Sequence, residues 1–171
     1  MFSVFVYGTL QTGHPNHYLL GNALAKGNES NFSHDDEAAE FKGCAVTVDK
    51  RPLVIGSSFN VPFLLDRTGQ GKQVYGELYE VTWPLMKKLD ELEDHPNLYV
   101  RSEIPIQLLK EDNSSGDVTT LAWCYLLPNF KESLLEASPF YSRYSEGAVN
   151  KQYVAKVDRA PSSLKDEVKK C

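Results

Sequence analysis

The sequence predicts a single α+β domain that is rich in strands and contains few helices. Its 171 residues fit one domain and are enough to bury a real core. Runs of β-branched and aromatic residues, bounded by Gly, Pro, Asn and Asp, recur along the chain, as is typical of strands. Only two segments before the polar C-terminal region have the apolar spacing of a helix. No internal repeat or linker divides the chain.

The predicted elements begin with a strand over 3–7, centred on Val4-Phe5-Val6, and a short helix over 15–24. The chain then turns polar over 25–40, which predicts a solvated loop. The segment after Pro128 ends in SSLKDEVKKC, which we expect to be a frayed surface helix. We place the domain at 1–155 and a mobile C-terminal tail at 156–171. The remaining strand candidates are 41–48, 53–55, 61–65, 73–81, 99–109 and 118–127.

One helix, over 83–93, is predicted together with both of its ends. Thr82 can cap its N-terminus, Pro84 fits its first turn, and His95-Pro96 ends it. At about 100° per residue, four apolar side chains form a single stripe. They are Leu85, Met86, Leu89 and Leu92.

Glu93 takes an unusual position on this helix. Glu91 and Asp94 point away from the apolar stripe and Asp90 lies at its edge, whereas Glu93 falls inside the apolar arc. Burial of a carboxylate raises its pKa toward the range that is useful for proton transfer. Two interpretations stay open, namely a buried acid/base and an ordinary acid that turns into water at a frayed helix end.

The composition argues against several classes of function. The net charge is −5 and the basic residues are scattered, unlike those of a protein that binds nucleic acid backbones. No apolar run approaches membrane-spanning length, and no secretory signal is visible. Cys44, Cys124 and Cys171 lie far apart, which favours free thiols in the cytosol over disulfides. We expect a cytoplasmic monomer that binds neither nucleic acid nor a membrane.

The end of the first strand, VFVYGTLQTGHPNH, could hold a ligand. Gly8 and Gly13 have the spacing of a phosphate-binding loop, but His14-Pro15 stands where that motif needs Lys and Ser or Thr. We therefore reject a nucleotide site. A strand that ends in Gly-Thr-Leu can instead present consecutive backbone N–H groups to a carbonyl oxygen or a carboxylate. A plain strand-to-loop turn is the alternative.

The residues give little support to a metal site or to a catalytic cysteine. His14 and His17 form the only local histidine pair, and their spacing from the acids of the polar loop matches no recognised metal site. Cys44 and Cys124 fall in predicted strands, where a free cysteine usually acts as a small buried apolar residue. We expect no metal and no cofactor, while a cysteine-dependent transferase stays open as an alternative.

Val6-Tyr7-Gly8-Thr9-Leu10, together with Glu93 in the sequence LDELE, resembles the γ-glutamylcyclotransferase-like superfamily. Within it the chain looks most like the γ-glutamylamine cyclotransferases and the plant avirulence-induced-gene-2-like proteins. The resemblance covers residues 2–155. Further matching pieces follow in order: PNH at 15–17, PLVI at 52–55, VPFLL at 61–65, YGELYEV at 75–81, LYVR at 98–101 and YSEG at 144–147.

The resemblance implies a small mixed β-barrel flanked by a few helices. It implies that Tyr7, Gly8, Thr9 and Leu10 bind the γ-glutamyl part of a small-molecule substrate. Glu93 would be the catalytic acid/base, and Tyr144 matches a tyrosine near the cavity. The chain departs from the family in a longer polar insertion at 26–42 and in a divergent tail after 147.

The implied reaction is an acyl transfer within the substrate, which releases 5-oxoproline and a free amine from a γ-glutamyl amine or a γ-glutamyl amino acid. It needs no metal, nucleotide or covalent enzyme intermediate. The sequence leaves the identity of the departing amine open. It also leaves open a second possibility, a binding or regulatory module that keeps the fold without turnover.

Overall fold

The computed structural model describes residues 1–159 and 164–170. The strands are β1 (Phe2–Val6), β2 (Ala39–Thr47), β3 (Leu53–Gly56), β4 (Val61–Leu64), β5 (Tyr75–Val81), β6 (Val100–Leu109) and β7 (Ser115–Leu126). The α-helices are α1 (Tyr18–Gly27), α2 (Trp83–Leu92), α3 (Tyr144–Ala148) and α4 (Leu164–Val168). Short 3₁₀ helices cover Glu132–Glu136 and Lys156–Asp158. None of the helices in these described ranges is both long and apolar enough to cross a membrane.

Five strands form a mixed sheet in the order β1-β5-β2-β6-β7, and the sheet closes on itself as a small barrel. Neighbouring strands run antiparallel, except that β1 and β7 meet in parallel where Val4 faces Trp123. Strands β3 and β4 form a separate antiparallel pair. The predicted α+β fold with flanking helices is confirmed.

Residues 4–6 of β1 are buried on both faces of the strand, which explains the continuous apolar run Val4-Phe5-Val6. Successive side chains of a strand point to opposite faces. Phe5 packs with apolar residues of the other barrel strands, such as Leu78 and Ile106. Val4 and Val6 belong instead to the core cluster that contains the apolar face of α2.

The polar loop predicted over 25–40 is shorter than expected, because α1 extends to Gly27 and β2 begins at Ala39. Tertiary contacts explain the difference. Gly27 lies so close to β2 that a Cβ atom there would collide with the Ala39 carbonyl oxygen. The Thr82 hydroxyl accepts a hydrogen bond from the Ala38 N–H at 3.0 Å and lies 2.6 Å from the Asp36 carbonyl oxygen.

Part of the predicted C-terminal tail packs on the domain. Leu164 and Val168 of α4 are buried, and Phe130 pairs with Lys169 in an isolated antiparallel bridge. Residues 160–163 and Cys171 lie outside the described residues. The mobility of this segment stays a prediction.

Candidate active site

A cavity lies between the loop that follows β1 and the C-terminal end of α2. The space between these walls, counted together with the solvent at its open mouth, is about 600 Å³. Polar groups come from the loop after β1, from Glu93 and from the segment 153–159. The other wall residues are mostly apolar or aromatic: Phe5, Val6, Val61, Pro62, Leu92, Leu98, Tyr99, Tyr125 and Leu164.

Glu93 follows the last residue of α2 as its C-cap, and its N–H donates to the Leu89 carbonyl oxygen at 3.0 Å. The residue is half-buried and lines the cavity, so it does not turn out into bulk water. Burial raises the pKa of its carboxyl group from 4.5 to about 7, and the positive charges of Arg159 and Lys156 only partly oppose this increase. Such a carboxyl group can both take and give a proton at neutral pH.

The loop after β1 offers hydrogen-bond donors to the same cavity. Gly8, Thr9 and Leu10 are buried, and their N–H groups donate to no other residue in the part of the chain that the structure describes. Buried N–H groups are almost always paired in proteins, so unpaired ones at a cavity wall mark a place for a ligand oxygen. The three carbonyl oxygens are already used, by Gln11, Asn16 and His17.

Gly8 is required by close packing. A Cβ atom at this position would meet Cγ of Pro62 at 2.9 Å, which is closer than real contacts of this kind. The absence of a side chain therefore lets the loop lie directly against the β4 strand and keeps its N–H groups at the cavity.

Three tyrosines form an uncharged part of the wall. The Tyr7 hydroxyl donates to the Tyr125 carbonyl oxygen at 2.6 Å, and the Tyr99 hydroxyl donates to the Pro62 carbonyl oxygen at 2.8 Å. The Tyr125 hydroxyl donates to Asp90 at 2.7 Å. Burial raises the pKa of all three tyrosines, so they stay neutral. Their hydroxyl groups hold the wall in place rather than titrate.

A chain of hydrogen bonds ties the loop to the segment 153–159. The side-chain amide of the buried Asn16 donates to the Thr9 hydroxyl at 2.9 Å and to the Tyr153 hydroxyl at 3.1 Å. Nη2 of Arg159 also donates to the Tyr153 hydroxyl, at 3.0 Å. Thr9 and Arg159 are thus positioned through the same two side chains.

The structure brings Tyr7, Gly8, Thr9, Leu10 and Glu93 to one cavity, but it places Tyr144 elsewhere. Tyr144 is buried at the start of α3, and its ring lies 4.9 Å from that of His14. It lines a separate pocket of about 480 Å³, counted in the same way, together with Gln11, Cys44 and Arg143. Tyr144 therefore does not line the cavity in which we expect the substrate to bind.

The cysteines differ from one another. Cys124 is buried as expected, and burial raises the pKa of its thiol, which disfavours the nucleophilic thiolate. Cys44 was expected to be buried, but it is exposed, because it lies on a face of β2 that the core does not cover. Neither cysteine lines the cavity that contains Glu93.

Several cavity residues escaped the sequence analysis. Asn16 and Tyr99 lie within PNH and LYVR, so the matching pieces could have indicated them. Tyr153, Lys156 and Arg159 had no such signal, and the last two fall beyond the predicted domain boundary at 155. They are far from the loop in sequence and follow no helical or strand pattern.

Comparison with known proteins yields consistent matches. The sequence model of the family described as "Gamma-glutamyl cyclotransferase, AIG2-like" matches residues 4–145. Gamma-glutamylaminecyclotransferase C of Danio rerio is 36% identical over 91% of this chain and 95% of its own length. Gamma-glutamylaminecyclotransferase of Mus musculus is also 36% identical, over 74% of this chain and 76% of its own. The crystal structure of an AIG2-like protein from Mus musculus superimposes with a TM-score of 0.76 at 32% identity, covering 93% of this chain and 99% of that one.

Proposed function

This chain belongs to the gamma-glutamyl cyclotransferase, AIG2-like family, and we propose that it releases 5-oxoproline and a free amine from a γ-glutamyl amine or a γ-glutamyl amino acid. In this proposal Glu93 is the general acid/base. Tyr7, Gly8, Thr9 and Leu10 bind the γ-glutamyl part, with the backbone N–H groups of the last three on its polar atoms.

One observation carries the proposal: a carboxyl group with a pKa of about 7 shares a cavity with backbone N–H groups that donate to none of the residues that the structure describes. The first group can move protons at neutral pH, and the second can stabilise negative charge on a carbonyl oxygen. Intramolecular acyl transfer needs both of these functions and little else, because the substrate supplies its own nucleophile.

The chemistry follows from the substrate. Its α-amine is mostly an ammonium ion at neutral pH, and an ammonium ion cannot attack a carbonyl carbon. The Glu93 carboxylate accepts one proton, and the freed amine attacks the γ-carbonyl carbon and closes a five-membered ring. The loop N–H groups stabilise the oxyanion. Glu93 then returns its proton to the amide nitrogen as the carbon–nitrogen bond breaks, and the attacking nitrogen loses a second proton to the departing amine.

The decisive experiment measures 5-oxoproline by mass spectrometry after incubation with a panel of γ-glutamyl compounds. The panel contains γ-glutamyl-ε-lysine, γ-glutamyl amino acids, other γ-glutamyl amines and glutathione. We expect Glu93→Gln to lower turnover by a factor of roughly 10² to 10⁴ while it keeps substrate binding. Glu91→Gln, on the exposed side of the same helix, is the matched control. Normal turnover by Glu93→Gln would refute the assignment of the base.

The alternatives predict different results in the same assay. A binding or regulatory module would bind members of the panel and release no 5-oxoproline. A cysteine-dependent transferase would lose activity when its accessible thiols are alkylated. We expect activity to survive alkylation, because Cys44 lies outside the cavity and Cys124 is buried.

The same panel of compounds identifies the departing amine. The loop and Glu93 contact the γ-glutamyl part in this proposal, so the panel compares compounds that differ only in the other half.

We further propose that the protein acts as a monomer in the cytosol. Size-exclusion chromatography with light scattering tests the oligomeric state, and fractionation of cells tests the location.

A further inference from the structure

The segment 153–159 places two positive charges at a cavity whose proposed reaction needs only a base and an oxyanion site. Arg159 and Lys156 both line the cavity, and both act electrostatically on Glu93. A single half-protonated carboxyl group does not balance two cations. An additional negative group, supplied by the ligand, would do so.

The guanidinium group of Arg159 is held in a fixed position. Its Nε donates to the Val154 carbonyl oxygen at 3.1 Å, and its Nη2 donates to the Tyr153 hydroxyl at 3.0 Å. The group also lies over the rings of Phe59, at 5.6 Å, and Tyr153, at 5.4 Å. Arginine is therefore oriented before any ligand arrives, which lowers the entropic cost of binding.

Arg159 still has hydrogen-bond donors to offer. A guanidinium group carries five N–H donors in a planar fork, and the two hydrogen bonds above use two of them. No carboxylate of the described residues forms an ion pair with Arg159. The remaining donors suit a carboxylate, which a guanidinium group binds with two parallel hydrogen bonds.

The substrate of the proposed reaction carries such a carboxylate next to the reacting amine. In a γ-glutamyl compound the α-carboxylate and the α-ammonium group share one carbon atom. When the ammonium group approaches Glu93, the α-carboxylate must approach it as well, and two negative groups then meet. A carboxylate on the departing amine, such as that of lysine, lies beyond the scissile bond and is separated from Glu93 by a long side chain.

We propose that Arg159, assisted by Lys156, binds the α-carboxylate of the γ-glutamyl group and so selects glutamyl over acyl groups that lack this carboxylate. The inference rests on the proposed function and deepens it. It assigns a specificity role to the segment 153–159, part of which lies beyond the predicted domain boundary. The same segment also positions the loop after β1 relative to the bound carboxylate, because hydrogen bonds through Tyr153 and Asn16 connect Arg159 to Thr9.

The test compares two substrates that share one amine. The first is its γ-glutamyl amide, and the second is its 4-aminobutanoyl amide, which closes the same ring to 2-pyrrolidinone but has no α-carboxylate. We expect Arg159→Gln to raise KM for the γ-glutamyl amide by about 10- to 100-fold, the usual effect of losing a hydrogen-bonded charge, with little change in kcat. Because Arg159 also opposes the rise in the pKa of Glu93, both substrates are assayed at pH 8.5, where the carboxyl group is largely ionised. The value of kcat/KM for the 4-aminobutanoyl amide should then stay within about twofold of the wild type.

A binding experiment gives the same comparison without turnover. Titration calorimetry should show that Arg159→Gln loses affinity for 5-oxoproline and keeps its affinity for 2-pyrrolidinone. Arg159→Lys, which keeps the charge but not the fork, should recover part of the loss. Arg67→Gln removes an arginine that pairs with Glu132 outside the cavity and is the control for net charge.

Two results would overturn the inference. An equal loss for the ligands with and without the carboxylate would show that Arg159 only supports Tyr153, and an unchanged KM would show that it binds nothing. At a pH where Glu93 is ionised in both proteins, neither result bears on the base. If the wild-type protein releases no 5-oxoproline, the proposed function fails instead, and calorimetry with a γ-glutamyl amide still decides the role of Arg159.

Discussion

Glu93→Gln should increase the stability of the protein while it removes the proposed activity. In the folded protein, burial holds the pKa of Glu93 at about 7, whereas the unfolded chain ionises near 4.5. Between these two values the folded state keeps a proton that the unfolded state has lost. The free energy of unfolding therefore falls as the pH rises from 4.5 to 7, and the full loss is present above pH 7.

The size of the effect follows from the same two values. A tenfold change in an ionisation constant corresponds to about 1.4 kcal/mol, so ionising buried Glu93 costs about 3 kcal/mol. Part of the side chain is accessible from the cavity mouth and a glutamine amide must also be desolvated, so we expect about 2 kcal/mol in practice. For a chain of this length that is about 4–8 °C in melting temperature.

The assay measures urea unfolding of both proteins at intervals between pH 4 and pH 8.5. The difference between Glu93→Gln and wild type should be near zero at pH 4 and should grow until pH 7. Glu91→Gln should track the wild-type profile, because Glu91 is exposed. A difference that is constant with pH, or that grows toward acid, would refute the claim that Glu93 is buried with a raised pKa.

The same pKa governs activity. In the wild type, kcat/KM should rise with pH through about 7, as the base loses its proton.

Three further substitutions test the scaffold. Gly8→Ala should lower stability by about 1–3 kcal/mol and lower kcat/KM, because its methyl group would meet Pro62 at 2.9 Å; unfolding and steady-state kinetics measure both effects. Asp90→Asn should cost about 1–3 kcal/mol in urea unfolding, because the half-buried carboxylate binds Arg101 at 2.6 and 3.1 Å. Cys44→Ser should change stability by less than about 0.5 kcal/mol and leave turnover intact, since its exposed thiol lies outside the cavity.

The elements that local patterns determine could be predicted from the sequence. The helix at 83–93 was predicted within one residue of α2, because its cap position, proline and apolar stripe all lie within the segment itself. The Thr82 hydroxyl nevertheless bonds to the 36–38 loop instead of the helix end. The end of α1 was missed, because contacts with Ala39 rather than local sequence determine where the helix stops.

The candidate site was likewise predictable only where local sequence patterns determine it. The helical period alone placed Glu93 on the apolar face of its helix, and the structure places it at the cavity. Arg159 is hydrogen-bonded to nearby residues, Val154 and Tyr153, but it is tied to the cavity loop only because Tyr153 binds Asn16, 137 positions away in the sequence. A contact between such distant residues has no local signature.

The fold also explains why the acid must follow this particular helix. Strand β5 runs antiparallel to β1, so its last residue, Val81, lies opposite Phe2 at the start of β1. Helix α2 begins immediately afterwards, with Trp83 5.7 Å from the Phe2 ring, and its apolar face shares one core cluster with Val4 and Val6 of β1. Between their end residues, the ten residues of α2 span about 14 Å and the five residues of β1 span roughly 13 Å. The residue after α2 therefore arrives at the loop after β1, and a helix one turn longer or shorter would move Glu93 by about 5 Å, beyond the reach of a proton transfer.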